Sequence, residues 1–110
     1  MTLAQAIRRG AAARAGSIDG PTIVDPMTGV ITTCVIGAAW EGLFGSPPSD
    51  SATSLETQRL MWPHFPELRE ERACPTCGTT RALEFLLWHI NDYHRWTREQ
   101  IADWLESQGH

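Results

Sequence analysis

The chain has 110 residues and a formal net charge of −4, and all nine of its basic residues are arginine. A chain of this length is one domain, or two small lobes sharing a core, with little apolar area to spare. The acidic balance excludes general, charge-driven affinity for nucleic acid or anionic membrane, and the longest apolar run, Cys34 to Trp40, is far too short to cross a bilayer.

The opening MTLAQAIRRGAAARAG carries arginines but no continuous apolar stretch, so it does not read as a secretory leader. It reads instead as a first helix, capped by Thr2, running to about Arg14 and ended by Gly16. SIDGP is a turn. TIVD and VITT flank DPMTG, the pattern of a short hairpin with a Pro/Gly loop. CVIGAAWEGLF is a second helix closed by Gly45, with Gly37, Ala38 and Ala39 small enough for close backbone approach. Residues 46–53, SPPSDSAT, form a linker between a helix–hairpin–helix lobe (1–45) and a second, helical lobe (54–110). SLETQRLMW is a short third helix stopped before Pro63, and HFPELREERA is charged and irregular.

The stretch CPTCGTTRALEFLLWHINDYH carries the chemistry. Its spacing is Cys74-x2-Cys77-x11-His89-x4-His94. A CPxCG turn aims backbone N–H groups at thiolate sulfur, with Gly78 supplying the permissive dihedrals behind the second cysteine. Thr79 or Thr80 then caps a helix to about Ile90, on which Leu83, Leu86, Leu87 and Ile90 share one face. His89 falls at the edge of that face. Asn91-Asp92 ends the helix, swings His94 back and orients an imidazole from behind. Four ligand types in this order and spacing predict a closed Cys2His2 zinc centre, of the knuckle-and-helix kind, holding one structural Zn2+ per chain. His64 and Cys34 are spare donors, although a lone Cys34 reads first as a small buried residue.

A base-reading finger needs a polar helix face, and this helix offers only Arg81, Glu84 and Asn91 away from its apolar side. From Cys74 onward there are three arginines against five acids. A closed zinc leaves no open position for hydrolytic water, and a metal-dependent nuclease would need a basic cleft that is not apparent. A redox CxxC pair lacks the strand–helix context it requires.

HRWTREQIADWLESQGH gives the clearest helix signal: Thr97 at the cap, Gln100 three residues on, and Ile101, Trp104 and Leu105 facing inward. Arg98, Asp103 and Glu106 are expected to face water, and Trp96 to staple against Ile101. Of the five tryptophans most should be core. Trp62 and Trp88, with the Arg8, Arg9 and Arg14 cluster, are the candidate partner contacts.

AIRRGA, CVIGAAWEG, CPTCG and HINDYHRWTREQIADWL together resemble a family of small proteins encoded in bacteriophages, prophages and assorted bacterial genomes, over nearly the whole chain. The resemblance implies a compact domain in the bacterial cytoplasm with Cys74, Cys77, His89 and His94 as matching ligands, and it implies no activity. The middle block departs from it, with Val35 where a smaller residue is expected after the cysteine. The expectation is therefore a mainly α, α+β single domain over 1–110 with one β-hairpin and a Cys2His2 centre. It would act as a non-enzymatic protein-interaction or regulatory module. A nucleic-acid-associated regulator is the alternative, resting on the arginine cluster, with a nuclease behind it. Three cysteines, two of them in a metal-type pair, fit a reducing interior.

Overall fold

Helix ends need partners for their unpaired backbone groups, and at the start of the chain the side chains supply them. Thr2 Oγ1 accepts the Gln5 amide at 3.1 Å and Gln5 Oε1 accepts the Thr2 amide at 2.8 Å, a reciprocal cap that opens α1 (Leu3–Ala13). The computed structural model describes all 110 residues. β1 (Thr22–Val24) and β2 (Ile31–Thr33) pair antiparallel, with Thr22 opposite Thr33 and Val24 opposite Ile31. Asp25 closes their loop by accepting the amides of Met27 and Thr28 on its carboxylate.

α2 (Val35–Phe44) follows directly and ends at Gly45. α1 and α2 form the tightest helix pair. A Cβ at Gly10 would lie 1.9 Å from the Ala38 carbonyl oxygen, and one at Gly42 would lie 1.8 Å from that of Ala6. The two backbones are thus in contact, and only glycine fits at either point. Val35, at the start of α2, is fully buried in the shared core.

α3 (Ser54–Met61) is capped by Thr53, whose hydroxyl accepts the Glu56 amide. The charged stretch expected to be irregular instead contains a 3-10 turn (Pro66–Arg69) and a strand, β3 (Glu71–Ala73), which pairs antiparallel with β4 (Thr80–Ala82). There are two hairpins, not one. The helix expected to be capped by Thr79 or Thr80 begins later: α4 spans Leu83–Asp92. The reason lies in the backbone accounting, because residues 79–82 are spent on the ladder. The Thr79 carbonyl accepts the Cys74 amide at 2.8 Å, and the Leu83 amide donates to the Glu70 carbonyl at 2.7 Å. α5 (Arg98–Ser107) opens with the expected box, Thr97 and Gln100 exchanging side-chain and backbone bonds.

One cluster of 19 buried residues runs through both halves of the chain. It takes Leu3 and Ile7 from α1, Ile36 from α2, Met61 from α3, Leu86 and Ile90 from α4, and Ile101 and Leu105 from α5. Trp40, Trp62, Trp96 and Trp104 pack against its edge, half-buried. Trp88 does not; it is 42% exposed on α4.

Arg98 corrects the expectation that it faces water. Its guanidinium is buried, donating to Thr33 Oγ1 at 3.0 Å and to the carbonyls of Ala11 and Arg14. The last carbonyls of α1 have no intrahelical donor, and Arg98 provides one from α5. Asp103 and Glu106 do lie on the outer face of α5, where both bond to Arg8.

Replacing Gly42 with alanine should destabilise the fold by about 2–3 kcal/mol, since neither backbone can retreat without disturbing the core. Urea denaturation measures this, with Met27→Ser, on the fully solvated loop, expected to stay within about 0.5 kcal/mol of the parent.

Candidate metal centre

The second hairpin exists to present a turn. Cys74 and Cys77 sit between β3 and β4, and Gly78, at φ 76°, lets its amide reach back to the Cys74 carbonyl at 2.9 Å. Cys74 is buried against the core and Cys77 is exposed. Opposite the turn lies the C-terminal end of α4. His89 is in its last turn, with Nε2 3.4 Å from Cys77 Sγ. α4 widens there: the amides of both Tyr93 and His94 donate to the His89 carbonyl, at 2.9 and 3.3 Å, the second across five residues as in a π-type turn. Arg95 then takes a left-handed conformation at φ 58° and the chain reverses. His94 is thereby brought beside His89, the two rings perpendicular with centroids 4.6 Å apart, while the Tyr93 ring stacks on His89 at 5.3 Å.

One ligand atom from each of Cys74, Cys77, His89 and His94 lies within 4.8 Å of all the others, a set that could hold one metal ion. A tetrahedral ion at ordinary zinc–sulfur and zinc–nitrogen distances needs edges of about 3.3–3.8 Å between its ligand atoms, so the observed set closes by shortening any one separation by about 1.5 Å at most. His94 Nε2 is buried without any hydrogen-bond partner. It is one of three such buried side-chain atoms, with Ser17 Oγ and Gln58 Oε1, and the only one in the four-donor cluster, where a coordination bond would satisfy it. The four predicted ligands are the four that converge.

The Cys77 thiol is already prepared as a ligand. Its pKa is lowered to about 5, first by the Thr79 hydroxyl 3.2 Å away, then by the Thr79 amide, then by His89 and His94. Thr79 is a site residue that the sequence reading treated only as a helix cap. Its signal was its place two positions after the second cysteine, where the turn folds back on the sulfur.

The spare donors stay out of the cluster. Cys34 is buried at the N-terminus of α2, its pKa raised to about 11 by burial. His64 is exposed and packs edge-on against Phe44. Asn91 and Asp92 are also displaced from their expected role. Asn91 Oδ1 accepts the Val35 amide at 3.0 Å, its Nδ2 donates to the Ser17 carbonyl and to Asp92 Oδ1, and Asp92 Oδ2 accepts the Asp19 amide. α4 continues through both residues; Asn91, two positions beyond His89, points to the opposite side, and the Asp92 carboxylate is taken up by Asn91 and the Asp19 amide. Asn91 therefore caps α2, whose own cap residue, Cys34, makes no side-chain bond.

The basic cluster does not survive as a patch. Arg8 holds Asp103 and Glu106, Arg14 holds the buried Glu41 at 2.8 Å, and only Arg9 makes no ion pair. Trp62 donates its indole N–H to Glu84 and lies under the Arg69 guanidinium at 4.5 Å. Trp88 alone among the named contacts projects as an unengaged apolar surface, with Phe85 exposed one turn earlier. No helix is long and apolar enough to cross a membrane.

In metal-free protein, alkylation of Cys77 should follow a midpoint near pH 5, because a depressed pKa keeps the thiolate populated above it and loses it below. Thr79→Ala should move that midpoint upward by about one pH unit or more, while Cys34 stays unreactive through neutral pH. Mass-resolved iodoacetamide labelling across a pH series reads both.

No protein-family model, curated protein or solved structure matches the chain, and the reading of the four donors rests on their geometry.

Proposed function

We propose that the chain is a small zinc-stabilised, non-enzymatic protein-interaction or regulatory module, of phage or mobile-element origin. The observation that carries this reading is the convergence of two thiols and two imidazoles within 4.8 Å. Sulfur and imidazole donors in equal number suit Zn2+. Four protein ligands fill a tetrahedral shell and leave no position for a reacting water, so the ion serves folding. Two thiolates cancel its charge, and the acidic balance of the chain persists in the loaded protein.

Contact with a protein is favoured over contact with nucleic acid by where the arginines went. The first-helix cluster was the main support for a nucleic-acid-associated regulator, and two of its three members are bonded to carboxylates. What the surface offers instead is aromatic: Trp88 and Phe85 on the outer side of α4, the helix that also carries His89. Aromatic anchors of this kind contribute most to protein interfaces. The phage origin rests on the resemblance carried by CPTCG and HINDYHRWTREQIADWL.

Metal analysis of the purified protein should find about one zinc per chain, and chelation should lower the melting midpoint by about 10 °C or more. A melting profile that chelator leaves unchanged would sink the metal reading. Affinity capture from the host lysate then separates fold from contact. Cys74→Ser should lose both stability and partner, whereas Trp88→Ala should keep its melting midpoint and lose the partner. Gel shifts at low and moderate salt decide the alternative, since binding that survives moderate salt would place the module on nucleic acid. Metal-dependent cleavage abolished by His89→Ala would make it a nuclease.

A further inference from the structure

The most enclosed arginine in the molecule is one that holds no carboxylate. Arg98 is 9% exposed, and its recorded partners are neutral: the Thr33 hydroxyl and the carbonyls of Ala11 and Arg14. Arg8, Arg14 and Arg72 each bond to an acid. Neutral dipoles satisfy the donors of a buried guanidinium but put no counter-charge in contact with it; burial lowers the Arg98 pKa and outweighs Glu99 and Glu41, which act on it only through space.

A cleft of about 340 Å³ opens beside this cation, between the Gly16–Ile18 segment and the Arg95–Glu99 segment. Three further features face it. Arg95 lines the cleft, exposed and without an ion pair, its backbone fixed in the left-handed reversal that follows His94. Ser17 also lines it, and Ser17 Oγ is buried with no hydrogen-bond partner. The N-terminal end of the ten-residue α5 meets the cleft at Thr97 and Arg98, where the helix dipole adds positive potential. Against these stands Glu99, the one carboxylate of the lining, so two arginines and one glutamate leave a charge of +1. Ile18 and the half-buried Trp96 form the apolar part of the wall.

We infer that this cleft is a binding site for a small organic anion, its carboxylate or phosphate group placed between Arg95 and Arg98 with the Ser17 hydroxyl as a further donor, and a flat apolar body resting on Trp96. The volume is at the lower end of that of ordinary ligand sites and fits a compact molecule. An anion there supplies the directly bonded counter-charge that Arg98 lacks, and its hydrogen bonds are of the charge-assisted kind. None of the four donors of the metal centre lines the cleft.

The test uses the full chain as purified, labelled with ¹⁵N, titrated separately with sodium benzoate, inorganic phosphate and the neutral benzamide. The Trp96 indole and Ser17 amide signals should shift saturably with one or both anions, with a Kd of about 1 mM or tighter, and benzamide should bind at least about tenfold more weakly. Saturation by benzoate alone assigns the site to organic carboxylates, and saturation by phosphate assigns it to phosphate-bearing ligands. Arg95→Gln, which removes an exposed side chain and leaves the Arg98 bonds in place, should weaken the anion about tenfold or more. Ser17→Ala should weaken it by a smaller factor. Absence of saturable shifts with either anion, equal binding of benzamide, or undiminished binding by Arg95→Gln would each overturn the assignment.

Discussion

A two-stranded hairpin with three residues per strand cannot hold itself in water, so β3–β4 takes its position from whatever it is fastened to. Its outer faces are charged and largely exposed, with Arg72 opposite Arg81 across the ladder, an unfavourable pairing if left to itself. The fastening is at the two ends. At the base, the Leu83 amide bonds to the Glu70 carbonyl and the hairpin runs straight into α4. At the tip, Cys74 is buried in the core and Cys77 Sγ lies against His89. Everything proposed for the centre follows from that arrangement, because the same geometry that anchors the turn brings two sulfur and two nitrogen donors to one point. A metal there replaces a loose contact between a marginal hairpin and a helix end with coordination bonds, in a chain with little core to spare.

The same economy shows in how the two halves of the chain are joined. Asn91 from α4 reaches the first amide of α2, and Arg98 from α5 reaches the last carbonyls of α1. Each is a buried polar side chain placed where a helix of the other half ends with unpaired backbone groups. Removing either would leave those groups enclosed and unsatisfied, a cost of about 1–3 kcal/mol per site by the usual accounting. The apolar cluster supplies the driving force for docking the halves, and these two side chains fix the register in which they dock. Glu41, buried on α2 and bonded to Arg14, ties α2 to the end of α1 within the first half.

Local signals made much of this legible from the residues. α1, α2, α3 and α5 begin and end within a residue or two of where caps and glycines placed them, since a cap is decided by two or three neighbours in sequence. The ligand set was readable for the same reason, each pair of donors being close in the chain. What the sequence hid is whatever depends on a distant partner. REERA and TRA show no alternation of apolar and polar residues, because neither strand covers a core, so the second hairpin had no period to detect. Asn91 looked like a helix breaker near two histidines, and nothing local announces that Val35, 56 positions away, needs an acceptor. Arg98 sat on the polar side of an isolated helix and proved to be buried once α1 was packed against that helix.

Charge acts at two ranges in this molecule, and the two are of opposite sign. The net −4 is felt by anything large that approaches from beyond about 8–10 Å, and it repels extended polyanions before contact. Within the cleft beside α5, two arginines and a helix terminus dominate over a single glutamate, and a small anion that arrives there meets a local field of the opposite sign. Nucleic acid would have to cover the acidic surface to reach Arg95 and Arg98, whereas a compact carboxylate or phosphate would not. Burial of Arg98 sharpens the contrast, because a charge with low-dielectric walls acts more strongly at short range than an exposed one and is screened less by salt. Size, not sign alone, is therefore what this distribution of charge discriminates.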